Sequence, residues 1–197
     1  MRITFVMIAA LVAVLGVGCC SVTAPHGSAS RRDSALRREL LSMVDADQRV
    51  RQGFGSQMEP EKVARMQAVD AKHTARMKAI IVEHGWPGRS LVGEDGAHAA
   101  WLLVQHADAS FMTQCLPLME HAVSAGEAPA KDYAYLLDRV RMNQGKPQVY
   151  GTQFTSGADG KLVLYPVEDA EHVDERRRAV GLRSMAEYER KIREVYK

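Results

Sequence analysis

The apolar residues of this chain leave the helical period over one stretch, and that departure limits what it can fold into. Up to Asn143 they recur at steps of three and four, as in helices that bury one stripe. From Gln148 to Phe154 and from Lys161 to Val167 they alternate around a Ser156–Gly160 turn, as in a β-hairpin. Two strands alone are marginal, so the hairpin must rest on the helices. The expected fold is mainly α (α+β), with about five or six helices packed with one β-hairpin.

The first helix is expected over Arg31–Gln52, with Leu36, Leu40, Leu41 and Val44 inward and its Arg and Asp residues on the other side. The Gly53–Ser56 segment breaks it. Pro60 suits a first helical position, and Val63, Met66, Val69, Met77, Ile80 and Ile81 carry a second helix to about Glu83. The His84–Gly88 segment, with one proline and two glycines, stops that helix. A third helix is expected from Glu94 to about His106, a fourth over Ala109–Ser124 with a disturbance near Pro117, and a fifth over Ala130–Asn143. After the hairpin, Asp174–Arg178 reads as a solvated helical face, with a functional basic patch as the alternative. A last helix over Met185–Tyr196 carries Tyr188, Ile192 and Val195.

The N-terminal end points out of the cytosol. Residues 3–18 are almost wholly apolar, follow Arg2 and end in small residues before Cys19 and Cys20, the layout of a signal peptide over residues 1–18. A membrane-spanning helix needs about 20 such residues. The Gly16-Val17-Gly18-Cys19 run resembles a bacterial lipobox, although Gly16 stands where leucine is preferred. That resemblance implies lipidation of Cys19 and a membrane partner reached through the lipid, at the periplasmic or cell surface. Plain secretion and an uncleaved anchor are the alternatives. Residues 19–34 read as a flexible tether and 35–197 as one globular domain.

Charge is near balance, 26 Lys+Arg against 24 Asp+Glu, which argues against a nucleic-acid partner held by a strong overall field. Of the three cysteines only Cys115 lies in the body of the chain. It shares helical spacing with Phe111, Met119 and Ala122, so it reads as a small buried hydrophobe.

The chemistry-bearing residues lie between His84 and Gln153. On a third helix, Glu94, His98, Trp101, Gln105 and Asp108 share one face, opposite a core stripe of Ala97, Ala100, Val104, Ala107 and Phe111. That face turns either to water or to a cleft, and Trp101 is costly to leave in water. His106 falls near the helix end. Asp108 beyond it either caps the next helix or orients the imidazole. Arg139 is able to grip an anion, or else pairs with Asp138 or Asp132. Tyr150, Thr152 and Phe154 share one strand face, Gln153 the other, and Gly151 admits a close approach. Asp70 and His73, three apart, read as a solvated pair. No HExxH, CxxC, GxSxG, Walker or dinucleotide motif is present, so the sequence names no cofactor and no metal site; only convergence of His84, His98 and His106 could make one.

Gln105-His106-Ala107-Asp108, Tyr135–Val140, Gln148–Gln153 and Arg177–Leu182, together with a Gly-Trp-Pro turn, resemble in their order an uncharacterised bacterial domain family of unknown function. The resemblance spans His84–Leu182 and brings no activity. Three readings stand. One is an exported binding module whose cleft, between the third helix and the hairpin, uses Trp101, Tyr150, Gln105, Gln153 and Arg139 on a small molecule or peptide. Another is a hydrolase-like enzyme in that cleft, with His106 as general acid or base, Asp108 orienting it, Tyr150 and Gln153 polarising the reacting group and Arg139 holding an anionic substrate. The third is a tethered structural protein whose polar residues satisfy one another.

Overall fold

A computed structural model describes residues 32–52, 59–157 and 161–195. The signal, Cys19 and most of the tether lie outside the described residues. Within them the architecture is mainly α: α1 (Ser34–Arg51), α2 (Pro60–His84), α3 (Arg89–Gln105), α4 (Ala109–Ser124), α5 (Ala130–Asn143), β1 (Phe154–Ser156), β2 (Leu162–Leu164), α6 (Val173–Ala179) and α7 (Met185–Val195). None of these helices is long and apolar enough to cross a membrane.

Helix α3 is the axis of the molecule and packs against α1, α2, α4 and α5. Its position explains a pattern that the sequence shows poorly. An axial helix is covered all round, so both of its faces must be mostly apolar or small, and every residue from Ala99 to Gln105 is buried. The face read as facing water or a cleft therefore carries Trp101 into the interior, 2% exposed, edge-on to Tyr135 of α5 with ring centroids 5.9 Å apart. Gly93 breaks the first turn of α3 at φ 78°, which places the regular helix from Glu94 onward. Gly96 lets Val92 approach so closely that a Cβ there would lie 2.8 Å from the Val92 Cβ.

Helix starts follow the capping chemistry. Asp33 accepts from the amides of Ala35 and Leu36 (3.0 and 2.8 Å), and Pro60 opens α2. Helix α4 runs unbroken through the exposed Pro117, so the disturbance expected there does not end it. Cys115 is fully buried, and burial pushes its thiol up to about 12.

The hairpin is shorter than the alternation implies. Phe154 pairs with Leu164 and Ser156 with Leu162 in an antiparallel ladder of three residues, and it packs on Tyr188 and Ile192 of α7. The segment before it, Gln148–Gln153, leaves the strand path because its amides have a better acceptor than a neighbouring strand. Val149, Tyr150 and Thr152 donate main-chain N–H bonds to the Asp138 carboxylate (2.7, 3.0 and 3.0 Å), with Gly151 turning the chain at φ 65°.

The solvated reading of Asp174–Arg178 also fails at one residue. Arg177 of α6 is 1% exposed and donates to the carbonyls of Arg183 (2.5 Å) and Tyr150 (2.6 Å), with its guanidinium over the Tyr188 ring.

Candidate functional site

Helix α1 buries Leu36, Leu40, Met43, Asp47 and Arg51 at steps of four, three, four and four. Its last two inward positions are thus a carboxylate and a guanidinium, not apolar residues, and the expectation that the α1 charges face away is corrected for both. A buried charge needs partners. Asp47 finds the imidazole of His106, where Nδ1 lies 2.9 Å from Oδ2, and the amide of Gln48 at 2.8 Å. Arg51 Nη2 reaches Asp70 of α2 at 2.6 Å and Asp47 at 3.3 Å. Asp70, read as half of a solvated pair, is instead the second anion of this cluster. His73 is buried beside it, with Nδ1 unpartnered among the described residues.

The protonation of His106 follows from this packing. Burial pulls its imidazole below the ordinary value, and the charges of Arg51 and Arg139 act the same way against the pull of Asp47. Burial alone would raise Asp47, but the hydrogen bond to His106, the electrostatic attraction of that imidazole, the Arg51 charge and the Gln48 amide together hold the carboxyl below the usual range. The pair is thus a carboxylate and a neutral ring. Arg51 Nε also lies 3.2 Å from His106 Nδ1, yet one nitrogen cannot both donate and accept. The bond to the carboxylate is shorter and charge-assisted, so the ring proton sits on Nδ1 and the lone pair on Nε2.

A second network fixes the facing loop. Asp138 of α5, fully buried, accepts from the three main-chain amides of that loop and from Thr152 Oγ1 at 2.9 Å. Gln148 ties the loop to itself and to the residue after β2, accepting from the Gln153 main-chain amide (2.7 Å) and donating to the Gln153 and Tyr165 main-chain carbonyls (2.9 and 2.7 Å). Gln153, so placed, accepts from Arg139 Nε at 2.6 Å and donates to Thr152 Oγ1 at 2.8 Å. Arg139 Nε therefore meets an amide oxygen. Asp132 pairs with His98 Nδ1 at 2.9 Å.

Between the two networks lies a cleft of about 200 Å³, bounded by the end of α3, the start of α4, α5 and β1. Gln105, His106 and Arg139 line it together with Asn143 and Thr155, and Met112, Met142 and Phe154 add apolar lining. Gln105, His106 and Arg139 also border a hole of about 10 Å³ that reaches Trp101 and Gln153.

Of the residues singled out from sequence, His106, Gln105, Arg139, Trp101 and Gln153 thus converge on one hollow region. Asp108 and Tyr150 do not line it. Asp108 caps α4 through the Phe111 amide (2.8 Å) and meets Lys78 on the surface, so it is Asp47 that holds the imidazole. The Tyr150 main chain serves the Asp138 network. Sequence reasoning missed Asp47 and Arg51, and read Asp138 only as an ion-pair partner of Arg139. For the first two the signal was present: both continue the phase of Leu36, Leu40 and Met43. For Asp138 there was none, because its partners are backbone amides. No group of three or more His, Cys, Asp or Glu among the described residues is placed to hold a metal ion.

No curated protein and no solved structure matches the chain. A family model covers residues 34–197, from the first residue of α1 onward and including both polar networks and the cleft. The chain belongs to the family of unknown function DUF6624.

Proposed function

We propose that the protein is an exported, lipid-tethered binding module whose cleft takes a small ligand with an apolar body and a polar head. The lining of the cleft carries this reading: Met112, Met142 and Phe154 offer apolar contact, and Gln105, His106, Arg139, Asn143 and Thr155 offer polar groups. Polar groups set among apolar contacts in one concavity are usual for a ligand site, and the volume favours a molecule smaller than the drug-sized ligands of ~300–1,000 Å³ pockets. Titration of the labelled protein with butanol, butyramide and butyrate, followed by NMR, tests it. Shifts confined to the cleft residues and abolished by Ala109→Trp, which blocks the rim from an exposed position, support the reading. Absence of saturable shifts with all three probes opposes it.

The apolar run before Cys19 supports export and the lipid tether, at the periplasmic or cell surface. Labelling with radioactive palmitate is expected in the wild type and lost in Cys19→Ser; an unlabelled wild type opposes the tether.

The Asp47–His106 pair favours a second reading, a hydrolase-like enzyme in the same cleft. A neutral imidazole held at Nδ1 by a carboxylate presents Nε2 as a base to an attacking water. Turnover of p-nitrophenyl butyrate that His106→Asn abolishes, with probe binding retained, separates this reading from binding alone.

A further inference from the structure

The hole that shares Gln105, His106 and Arg139 with the cleft measures about 10 Å³, close to the least space that accommodates one water molecule. Most polar atoms on its wall are already used. Thr152 Oγ1 donates to Asp138 and accepts from Gln153, Gln153 Oε1 accepts from Arg139, and the Tyr188 hydroxyl donates to the Thr152 carbonyl at 2.9 Å. Besides the His106 Nε2 lone pair, two atoms are left over: Trp101 Nε1 and Gln105 Oε1 are buried without a partner among the described residues, on side chains of residues only 2% and 5% exposed. The Gln105 amide is not free to exchange its ends, because Nε2 donates to the Tyr135 carbonyl at 3.4 Å and a flip would set oxygen against oxygen.

One orphan is a donor and the other an acceptor, and both side chains border the same hole. We infer that this hole is a hydroxyl site, built for one O–H group that accepts from Trp101 Nε1 and donates to Gln105 Oε1. A carboxylate there would turn lone pairs on Gln105 Oε1, an ammonium would turn protons on the indole N–H, and a methyl group would satisfy neither. The hydroxyl comes either from a trapped water or from the alcohol end of a molecule in the outer cleft, since Gln105, His106 and Arg139 border both spaces. The trapped-water form stands whether or not the outer cleft takes a ligand, so it can fail or hold independently of the binding reading.

The chain has two tryptophans, so Trp86→Phe leaves the Trp101 indole as the sole reporter. In that protein, NMR cross-relaxation from a bound O–H to the Trp101 indole proton is expected. Titration with 1-butanol separates the sources. A water cross-peak that persists at saturation assigns a permanent water, and its replacement by a butanol methylene cross-peak assigns the alcohol. Gln105→Leu should lose the cross-peak and Gln105→Glu, which restores an acceptor, should keep it. If Trp86→Phe does not fold, Trp101→Phe identifies the Trp101 signal by its disappearance from the wild-type spectrum. A folded protein with no cross-peak from water or butanol to the indole overturns the inference, as does a cross-peak unchanged in Gln105→Leu.

Discussion

Replacing Asp47 and His106 by asparagine, singly and together, measures the bond on which the chemistry of the cleft depends. The two side chains are 1% and 4% exposed and 2.9 Å apart, so water can replace neither partner without opening the packing of α1 against α3. A hydrogen bond to a buried charge contributes about 1.5–3 kcal/mol, and residues within one such network couple by about 0.5–3 kcal/mol. The expected coupling lies in the upper part of that range, about 2 kcal/mol. Each single variant should lose more than the bond alone, because Asp47→Asn removes one of the two anions around Arg51 and His106→Asn leaves the carboxylate short of a donor. The pair His98–Asp132 is a built-in control. Its bond is also 2.9 Å, but the His98 side chain is 32% exposed, so solvent competes and the coupling should fall below about 1 kcal/mol. Urea unfolding of the four proteins in each cycle, followed by circular dichroism at pH 7.5, gives both numbers. A coupling below about 0.5 kcal/mol for Asp47–His106, or one no larger than that of the control, would refute the reasoning.

Acidification should destabilise the fold below about pH 6.5, the ordinary value for histidine. His106 and His73 are both held lower than that by burial, so between their folded values and 6.5 the unfolded chain binds more protons; stability falls by about 1.4 kcal/mol per pH unit for each imidazole that stays neutral. His106→Asn should remove about half of that slope; a wild-type stability flat from pH 7.5 to 5.5 would contradict it. Asp138→Asn should cost about 3 kcal/mol, because one amide oxygen replaces two carboxylate oxygens facing four donors and the new NH₂ meets N–H groups. A urea midpoint within error of the wild type would show that the loop does not depend on this carboxylate. Cys115 should resist iodoacetamide in the native protein and react only with the urea-unfolded chain, since its thiol is buried and pushed up to about 12; modification at native conditions, read by mass spectrometry, would place it elsewhere.

Much of the helical framework was legible because breakers and stripes are local, with side-chain caps added at α1 and α4, whereas α3 has no single stripe of its own. Local chemistry fixes their ends: Pro60 opens α2, Gly85 closes it and Asp108 caps α4. The hairpin was legible as an element but not in extent. Alternation from Gln148 to Phe154 reports side chains, whereas the path of that segment is decided by its amides, which turn to Asp138, a residue 11 to 14 positions earlier on a helix. The candidate site was legible in its polar members on α3 and the loop, and misread in its carboxylates. Asp108 is near His106 in sequence, and proximity along the chain favoured it. Asp47, 59 residues away, is near it in space because α1 packs on α3. Arg177 shows the same limit: in a run of three arginines only the one on the inner side of α6 is buried, and nothing in the run itself marks which.

The state of the His106 ring tests the whole account most directly. Long-range proton–nitrogen NMR of the imidazole at pH 7.5 should show a proton on Nδ1 and none on Nε2, and the Nε2 signal should move when butanol fills the cleft. A doubly protonated ring, a proton on Nε2, or an Nε2 signal indifferent to saturating butanol, butyramide and butyrate would contradict a cleft organised around a neutral, carboxylate-held histidine.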